Sequence, residues 1–258
     1  MLCAIRTKDN AKLNARDTSK ADSPFACPKC WSEVYIRKGH IKVHHFAHKP
    51  LVTCSYGFGE SEAHRQCKTA IYDRLANQPD VTRCKLEYDL GAIVPDIYAI
   101  IRNVAVAIEV QISSLSLHEI IRRTQHYRQL HISVLWLPLF DKNLNEERYA
   151  PKAWERWLHA TYFGRVYYWP ADLTVIPVHF DEYLLYVEES SWYEDGEEQT
   201  GGGYEKSSKR WRTPVLGVPA DIASNFRSGF RKAWQGGAMN VPECLLYQDT
   251  QPRWWKKS

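Results

Sequence analysis

Between residues 94 and 111 the chain reads Val94-Pro95-Asp96-Ile97-Tyr98-Ala99-Ile100-Ile101, then Arg102-Asn103, then Val104-Ala105-Val106-Ala107-Ile108-Glu109-Val110-Gln111. Both arms are rich in Val and Ile, and the polar pair between them suits a two-residue hairpin turn. Pairing about that turn sets Ile101 against Val104 and, counting outward, Asp96 against Glu109. With period-two alternation, Ile97, Ala99, Ile101, Val104, Val106, Ile108 and Val110 share a core face, while Asp96, Tyr98, Ala105, Ala107, Glu109 and Gln111 share the other.

Around this hairpin the period changes. From Gly59, apolar Ala63, Cys67, Ala70, Ile71 and Leu75 recur at spacings of three and four, which predicts a helix. Glu60, His64 and Lys68 follow one another in steps of four beside that stripe, a spacing that by itself suits a surface ion-pair ladder. Leu86, Tyr88 and Leu90 alternate with Glu87 and Asp89, so a half-buried strand is expected over 84–90. Ser116-Leu117-His118-Glu119 has capping-box spacing and opens a second helix with Leu117, Ile120, Ile121, Thr124 and Tyr127 inward. Ile132 to Leu137 closes the series as a buried strand. The predicted order is helix, three strands, helix, strand.

Before this region, Leu2 to Ile5 suits a strand, and Val34-Tyr35-Ile36 with Ile41-Lys42-Val43 suits a small hairpin around Lys38-Gly39-His40. After it the signal weakens. Trp154, Trp157 and Leu158 predict a helix stripe, and residues 165–169 and 173–178 predict a hairpin. Residues 188–208, rich in Glu, Gly and Ser, read as a flexible acidic linker. Ile222, Phe226, Phe230 and Trp234 predict an amphipathic helix over 220–234, and the chain ends in basic, aromatic Arg253-Trp254-Trp255-Lys256-Lys257.

Composition narrows the class. The 258 residues suffice for a real core, and a net charge of +4 permits a nucleic-acid partner without demanding one. Seven cysteines, an odd number, with no secretory n-region and h-region, predict a reducing cytoplasmic setting with thiols used as ligands or core. The longest apolar run, near residues 132–140, is too short to span a bilayer, so no membrane association is expected.

Two constellations carry chemistry. Asp96 and Glu109 are expected as cross-strand neighbours about 5 Å apart at their β-carbons, and like charges so placed call for a positive partner such as a hard divalent cation. Cys27-Pro28-Lys29-Cys30 has the tight-turn spacing that aims two sulfurs at one metal, and His44, His45, His48 and Cys54 follow. Cys27, Cys30, His48 and Cys54 form the favoured zinc set, with His45 as the alternate. A closed four-ligand site leaves no position for an activated water, so this zinc is structural. Lys29, Arg37, Lys38 and Lys42 around it could grip backbone phosphates as readily as the module could be a mere clip.

Taken together, Cys27-Pro-Lys-Cys30, His45-Phe-Ala-His48 with Lys49 and Cys54, Glu60-Ser61 with His64 and Lys68, and Pro95-Asp96 followed by Glu109-Val-Gln111-Ile-Ser113 resemble the CoiA family, competence proteins built on a nuclease fold of the PD-(D/E)xK type. The resemblance runs over residues 25–138. It implies an α/β fold: a restriction-endonuclease-like αβββαβ core, a mixed sheet flanked by helices, with a small N-terminal zinc-binding module and a C-terminal α+β extension. The expected organisation is an arm and zinc module over 1–57, a nuclease core over 58–140, a core extension over 141–187, the linker over 188–210 and a basic, aromatic helical region over 211–258. It implies a metal-dependent DNA nuclease acting in recombination, DNA uptake or defence, with Asp96, Glu109 and Glu60 on Mg²⁺ or Mn²⁺ and Gln111, His64 and Lys68 completing the catalytic set. Arg122, Arg123 and Tyr127 are expected to contact DNA, and recombination proteins are further candidate partners. Gln111 stands where the wider nuclease class has Lys, so Lys68 is the candidate source of the missing charge. That departure also keeps open an inactive DNA-binding accessory protein of the same fold.

Overall fold

The computed structural model describes residues 1–49, 53–54, 56–57, 60–111, 115–237 and 239–252, with the side chain of Gln111 outside the description. Ile112 and Ser113 of the hairpin motif and the basic, aromatic residues 253–257 also lie outside the described residues.

An N-terminal sheet comes first. Strands β1 (Cys3–Arg6), β2 (Lys12–Asn14), β3 (Phe25–Ala26), β4 (Glu33–Arg37) and β5 (His45–His48) pair in the order β2-β1-β3-β4-β5. The second arm of the hairpin here is His45–His48 and not 41–43. Phe46 is buried, whereas Ile41 is 92% exposed, so the buried aromatic determines which stretch pairs. Phe25, Val34, Ile36 and Phe46 form the small core beneath.

Helix α1 (Glu62–Leu75), strands β6 (Val81–Leu86), β7 (Ile97–Ile101) and β8 (Val104–Gln111), helix α2 (Leu117–Gln129) and β9 (Ser133–Pro138) follow in the αβββαβ order. Ser61 and Ser116 cap the two helices by accepting the N–H of His64 and Glu119. β6, β7 and β8 are antiparallel, and β9 returns parallel to β8. Arg102 and Asn103 both have positive φ, as a two-residue hairpin turn needs, and Ile101 faces Val104 with Ile97 facing Ile108. Residues on both faces of β8 are buried, Ala107 and Glu109 as well as Val106 and Ile108, so the sheet is covered on its two sides and Glu109 is not on a solvated face. β6 ends at Leu86, earlier than the alternation suggests, because Glu87 turns the backbone with φ of 49°.

The second half is mostly strand: α3 (Ala153–Thr161), β10 (Val166–Ala171), β11 (Thr174–Val187), β12 (Ser190–Glu194), β13 (Glu197–Gly201), β14 (Tyr204–Leu216), β15 (Ala220–Asp221), β16 (Phe226–Arg231), β17 (Trp234–Gly236), β18 (Met239–Val241) and β19 (Cys244–Asp249). Two expectations are corrected. The acidic stretch is no linker: β12 and β13 form a hairpin on Asp195-Gly196, both at positive φ, and β14 pairs along β11. The helix over 220–234 is absent, because Asp221 Oδ1 accepts the N–H groups of Ala223 and Ser224 in a tight turn and β16 then begins. A spacing of four satisfies a period of two as well as one of 3.6, so the apolar stripe there was ambiguous.

β19 lies between β9 and β16 in a six-stranded sheet ordered β16-β19-β9-β8-β7-β6, parallel to β9. One continuous core therefore runs from Leu2 and Cys3 through Trp136, Trp157 and Tyr162 to Tyr247, and the described residues after 210 do not stand apart from it. No described helix is long and apolar enough to cross a membrane.

Candidate functional site

The metal-type site is built by the N-terminal sheet. β3 and β5 flank β4, with Phe25 and His48 both opposite Val34, so Cys27 just beyond β3 and His48 at the end of β5 emerge at one end of the sheet. Cys27, Cys30, His48 and Cys54 bring their ligand atoms within 4.8 Å of one another. Cys30 Sγ is 3.4 Å from His48 Nε2. Partial burial opposes thiolate formation at Cys30, but the Ser32 hydroxyl and N–H, His48 and Cys54 overcome it and draw the thiol down to about 6. Three thiols and an imidazole at this separation suit a tetrahedral zinc ion. His45 is not among them: its Nδ1 pairs with the Val43 carbonyl at 2.9 Å.

The second site is a knot of buried charge between α1 and the central hairpin. Asp96 sits one residue before β7, where the register continued outward places it beside Glu109 on β8. Its Oδ2 accepts the Val110 N–H at 2.9 Å and pairs with His64 Nε2 at 3.0 Å. Lys68, 3% exposed at its side chain, holds its Nζ against Glu60 Oε1, 2.8 Å from Glu87 Oε1 and 3.4 Å from Asp96 Oδ1. Thus Glu60 and Lys68 are buried and His64 is partly so, each with its partners in the knot, and their spacing is not that of a surface ion-pair ladder. Burial would raise the Asp96 carboxyl, but the Lys68 ammonium, then His64 and the Val110 N–H, hold it well below the usual range. The same competition of burial against Lys68 brings Glu87 down to about 2.

Glu87 is the member of this knot that the sequence pattern hid. It is the outward position of an alternating run, yet its carboxylate is buried and accepts the N–H groups of Leu2 at 2.8 Å and Cys3 at 3.0 Å and the Tyr56 hydroxyl at 3.3 Å. Those contacts tie β1 to the core, and the positive φ that aims Glu87 inward leaves no mark in hydropathy.

Glu109 has different neighbours. Its Oε1 takes Arg123 Nε at 3.0 Å, the Arg123 Nη2 and the Tyr127 hydroxyl. Burial raises its carboxyl in spite of the Arg123 charge, and the nearby Asp96 charge raises it further. Tyr127 is fully buried and presents no face to DNA, Arg123 turns onto Glu109 with 18% of its side chain exposed, and Arg122 is paired on the surface with Glu119 at 2.7 Å. The expected DNA contact of Tyr127 is therefore corrected to an internal hold on Glu109, a hold that Arg123 shares.

Among the described residues, the Cys/His cluster is the single grouping of three or more metal-type side chains this close together. The expected trio of Asp96, Glu109 and Glu60 is not gathered in that way, because the Lys68 ammonium lies between Glu60 and Asp96.

These parts define a chain in two pieces: a Cys/His-clipped sheet module, and an α/β domain whose hairpin carries a buried charged site. Residues 7–57 match the family described as the N-terminal domain of competence protein CoiA, and residues 60–161 match its nuclease-like domain. A curated relative, competence protein CoiA of Bacillus subtilis (strain 168), is 30% identical over 140 residues, covering 53% of this chain and 35% of the relative. No solved structure matches the chain. With both domain matches in tandem over more than half its length, the chain belongs to the CoiA family of competence proteins.

Proposed function

We propose that this chain is a metal-dependent deoxyribonuclease of the PD-(D/E)xK type, hydrolysing phosphodiester bonds in competence-related DNA processing. The observation that carries the reading is the meeting, at one end of the hairpin, of Asp96, its register neighbour Glu109 and the Lys68 ammonium 3.4 Å from Asp96. The αβββαβ order with β9 parallel to β8 agrees with a restriction-endonuclease-like core. Asp96 and Glu109 would hold the Mg²⁺ or Mn²⁺, which when bound polarises the scissile phosphate and acidifies a water. Lys68, fixed by Glu60 and Glu87, supplies the positive charge that Gln111 cannot. His64 orients Asp96 through its 3.0 Å contact, and Arg123 with Tyr127 orients Glu109. Zn²⁺ in the Cys27, Cys30, His48 and Cys54 cluster would be purely structural.

A second reading has its own support. Lys68 and His64 already balance Asp96, and Arg123 balances Glu109, so the knot is satisfied with no added cation. On that reading the chain binds DNA and assists recombination without cutting it. One experiment separates the two. Single-stranded, duplex and branched DNA are incubated with the chain in Mg²⁺ or Mn²⁺, beside Asp96→Ala and Glu109→Ala. The nuclease reading expects cleavage that falls by about 100-fold or more in either variant. Cleavage equal in wild type and variants sinks it.

A further inference from the structure

A groove of about 950 Å³ opens on the N-terminal module beside β4 and β5. Lys20, Arg37, Lys38 and Lys42 line it, and among the described residues none of these four has a carboxylate within ion-pair distance. Arg37 instead lies over the Tyr35 ring, 5.0 Å from its centroid, and donates to the Tyr35 hydroxyl. The groove is thus a concave surface of uncompensated positive charge. Such a surface repels itself unless a polyanion lies in it.

Two further features fix what kind of polyanion. Glu60 also lines the groove, and it pairs with the buried Lys68, which in turn pairs with Asp96, so the groove adjoins the charged knot. On the same module Trp31, held at φ of 59° just after Cys30, is 60% exposed. Cys30, which it follows, contacts the groove-lining His48, so this exposed indole offers a stacking face for an unpaired base, which a duplex does not present. The volume also lies in the range of about 300–1,000 Å³ that suits small ligands, room for a few nucleotides and not for a double helix.

We infer that this groove is a seat for single-stranded DNA, gripped by Lys20, Arg37, Lys38 and Lys42 beside the knot that Glu60 joins. The inference deepens the nucleic-acid part of the proposed function and rests on it. Its test needs no cleavage, so the two can fail separately. A fluorescein-labelled 20-nucleotide oligo-dT and a labelled duplex of the same length are titrated with the full chain by fluorescence anisotropy, without Mg²⁺ or Mn²⁺, at several salt concentrations.

Three variants accompany the wild type: Lys38→Glu with Lys42→Glu, Trp31→Ala, and a control that reverses two exposed charges on β6, Arg83→Glu with Lys85→Glu. Circular dichroism and zinc content verify that each is folded. The expected result is binding of the single strand in preference to the duplex. The groove pair should weaken it by about tenfold and flatten the salt dependence by about 1.4 in log–log slope. Trp31→Ala should weaken it without changing that slope, and the control should leave it unchanged. Equal losses in groove and control variants mean a diffuse charge effect and overturn the inference, as does unchanged binding in the groove pair or an equal preference for duplex. Should the groove pair misfold, Lys20→Glu alone, on an exposed turn, is held to the same criterion. Binding that obeys this pattern in a chain that cuts nothing would sink the nuclease reading and keep the groove.

Discussion

Lys68 is the residue on which the site turns. A single buried ammonium serves Glu60, Glu87 and Asp96 together; Glu60 also has the Met1 amino group at 2.8 Å and Asp96 has His64 at 3.0 Å, but among the described residues Lys68 is the one cation paired with all three. Removing one partner of a buried ion network leaves uncompensated charge, typically about 3–5 kcal/mol. Lys68→Ala should therefore lose about that much stability in urea denaturation, whereas Lys85→Ala on the exposed face of β6 should lose about 0.5 kcal/mol or less. A Lys68→Ala chain as stable as wild type would show that the acids simply take up protons. At this scale the sequence was informative wherever a side chain is read by type and spacing. Asp96 and Glu109 followed from counting along a hairpin, and Cys27, Cys30, His48 and Cys54 from ligand chemistry. Glu87 was hidden because its direction is set by a backbone angle, and Arg123 and Tyr127 because a helix pattern does not say which neighbour its polar face meets.

Among the elements, β5 and the α3–β11 junction make claims that can be measured. β5 places His48 at the metal-type cluster and turns His45 toward the Val43 carbonyl. His48→Ala should then abolish bound zinc and lower the thermal midpoint, while His45→Ala should keep about one zinc per chain, as read by metal analysis. At the second junction His159 on α3 accepts the Phe180 N–H at 3.1 Å and lies 3.0 Å from His179 Nδ1 on β11. Burial, with the His179 and Arg212 charges, lowers its pKa to about 3. The unfolded chain takes up that proton near pH 6.5 and the folded chain does not. His159 thus withdraws stability as pH falls from about 6.5 toward 3, by at most about 1.4 kcal/mol per pH unit. Denaturation at stepped pH should show this slope and His159→Gln should flatten it. Elements in which pattern, turn chemistry and length agree were legible, as β7 and β8 show. The β12–β13 hairpin was missed although Asp195-Gly196 is a strong turn signal, because the glutamates around it argue for a solvated chain.

For the molecule as a whole, charge is divided. Residues 181–205 hold nine acidic and no basic side chains, so the net +4 is an arm of −9 set against a body of about +13. Within that arm Val187 pairs directly with Tyr204, and the residues between them are exposed or nearly so. Replacing 188–203 by Asn-Gly should therefore leave the fold and zinc content intact and move the thermal midpoint by only a few degrees. Ending the chain at residue 161, where the nuclease-like match ends, should give insoluble protein in an expression trial. The second half was least legible because its strands close a sheet begun more than a hundred residues earlier, a pairing that local pattern does not encode.

The place of β19 beside β9 also sets a timetable for synthesis. Every residue of Ser133–Pro138 is destined for the interior, yet the neighbour that covers its outer edge leaves the ribosome only after another hundred or so amino acids have been added. Throughout that interval the nascent chain displays an open, apolar strand edge, the kind that recruits chaperones or other copies of itself.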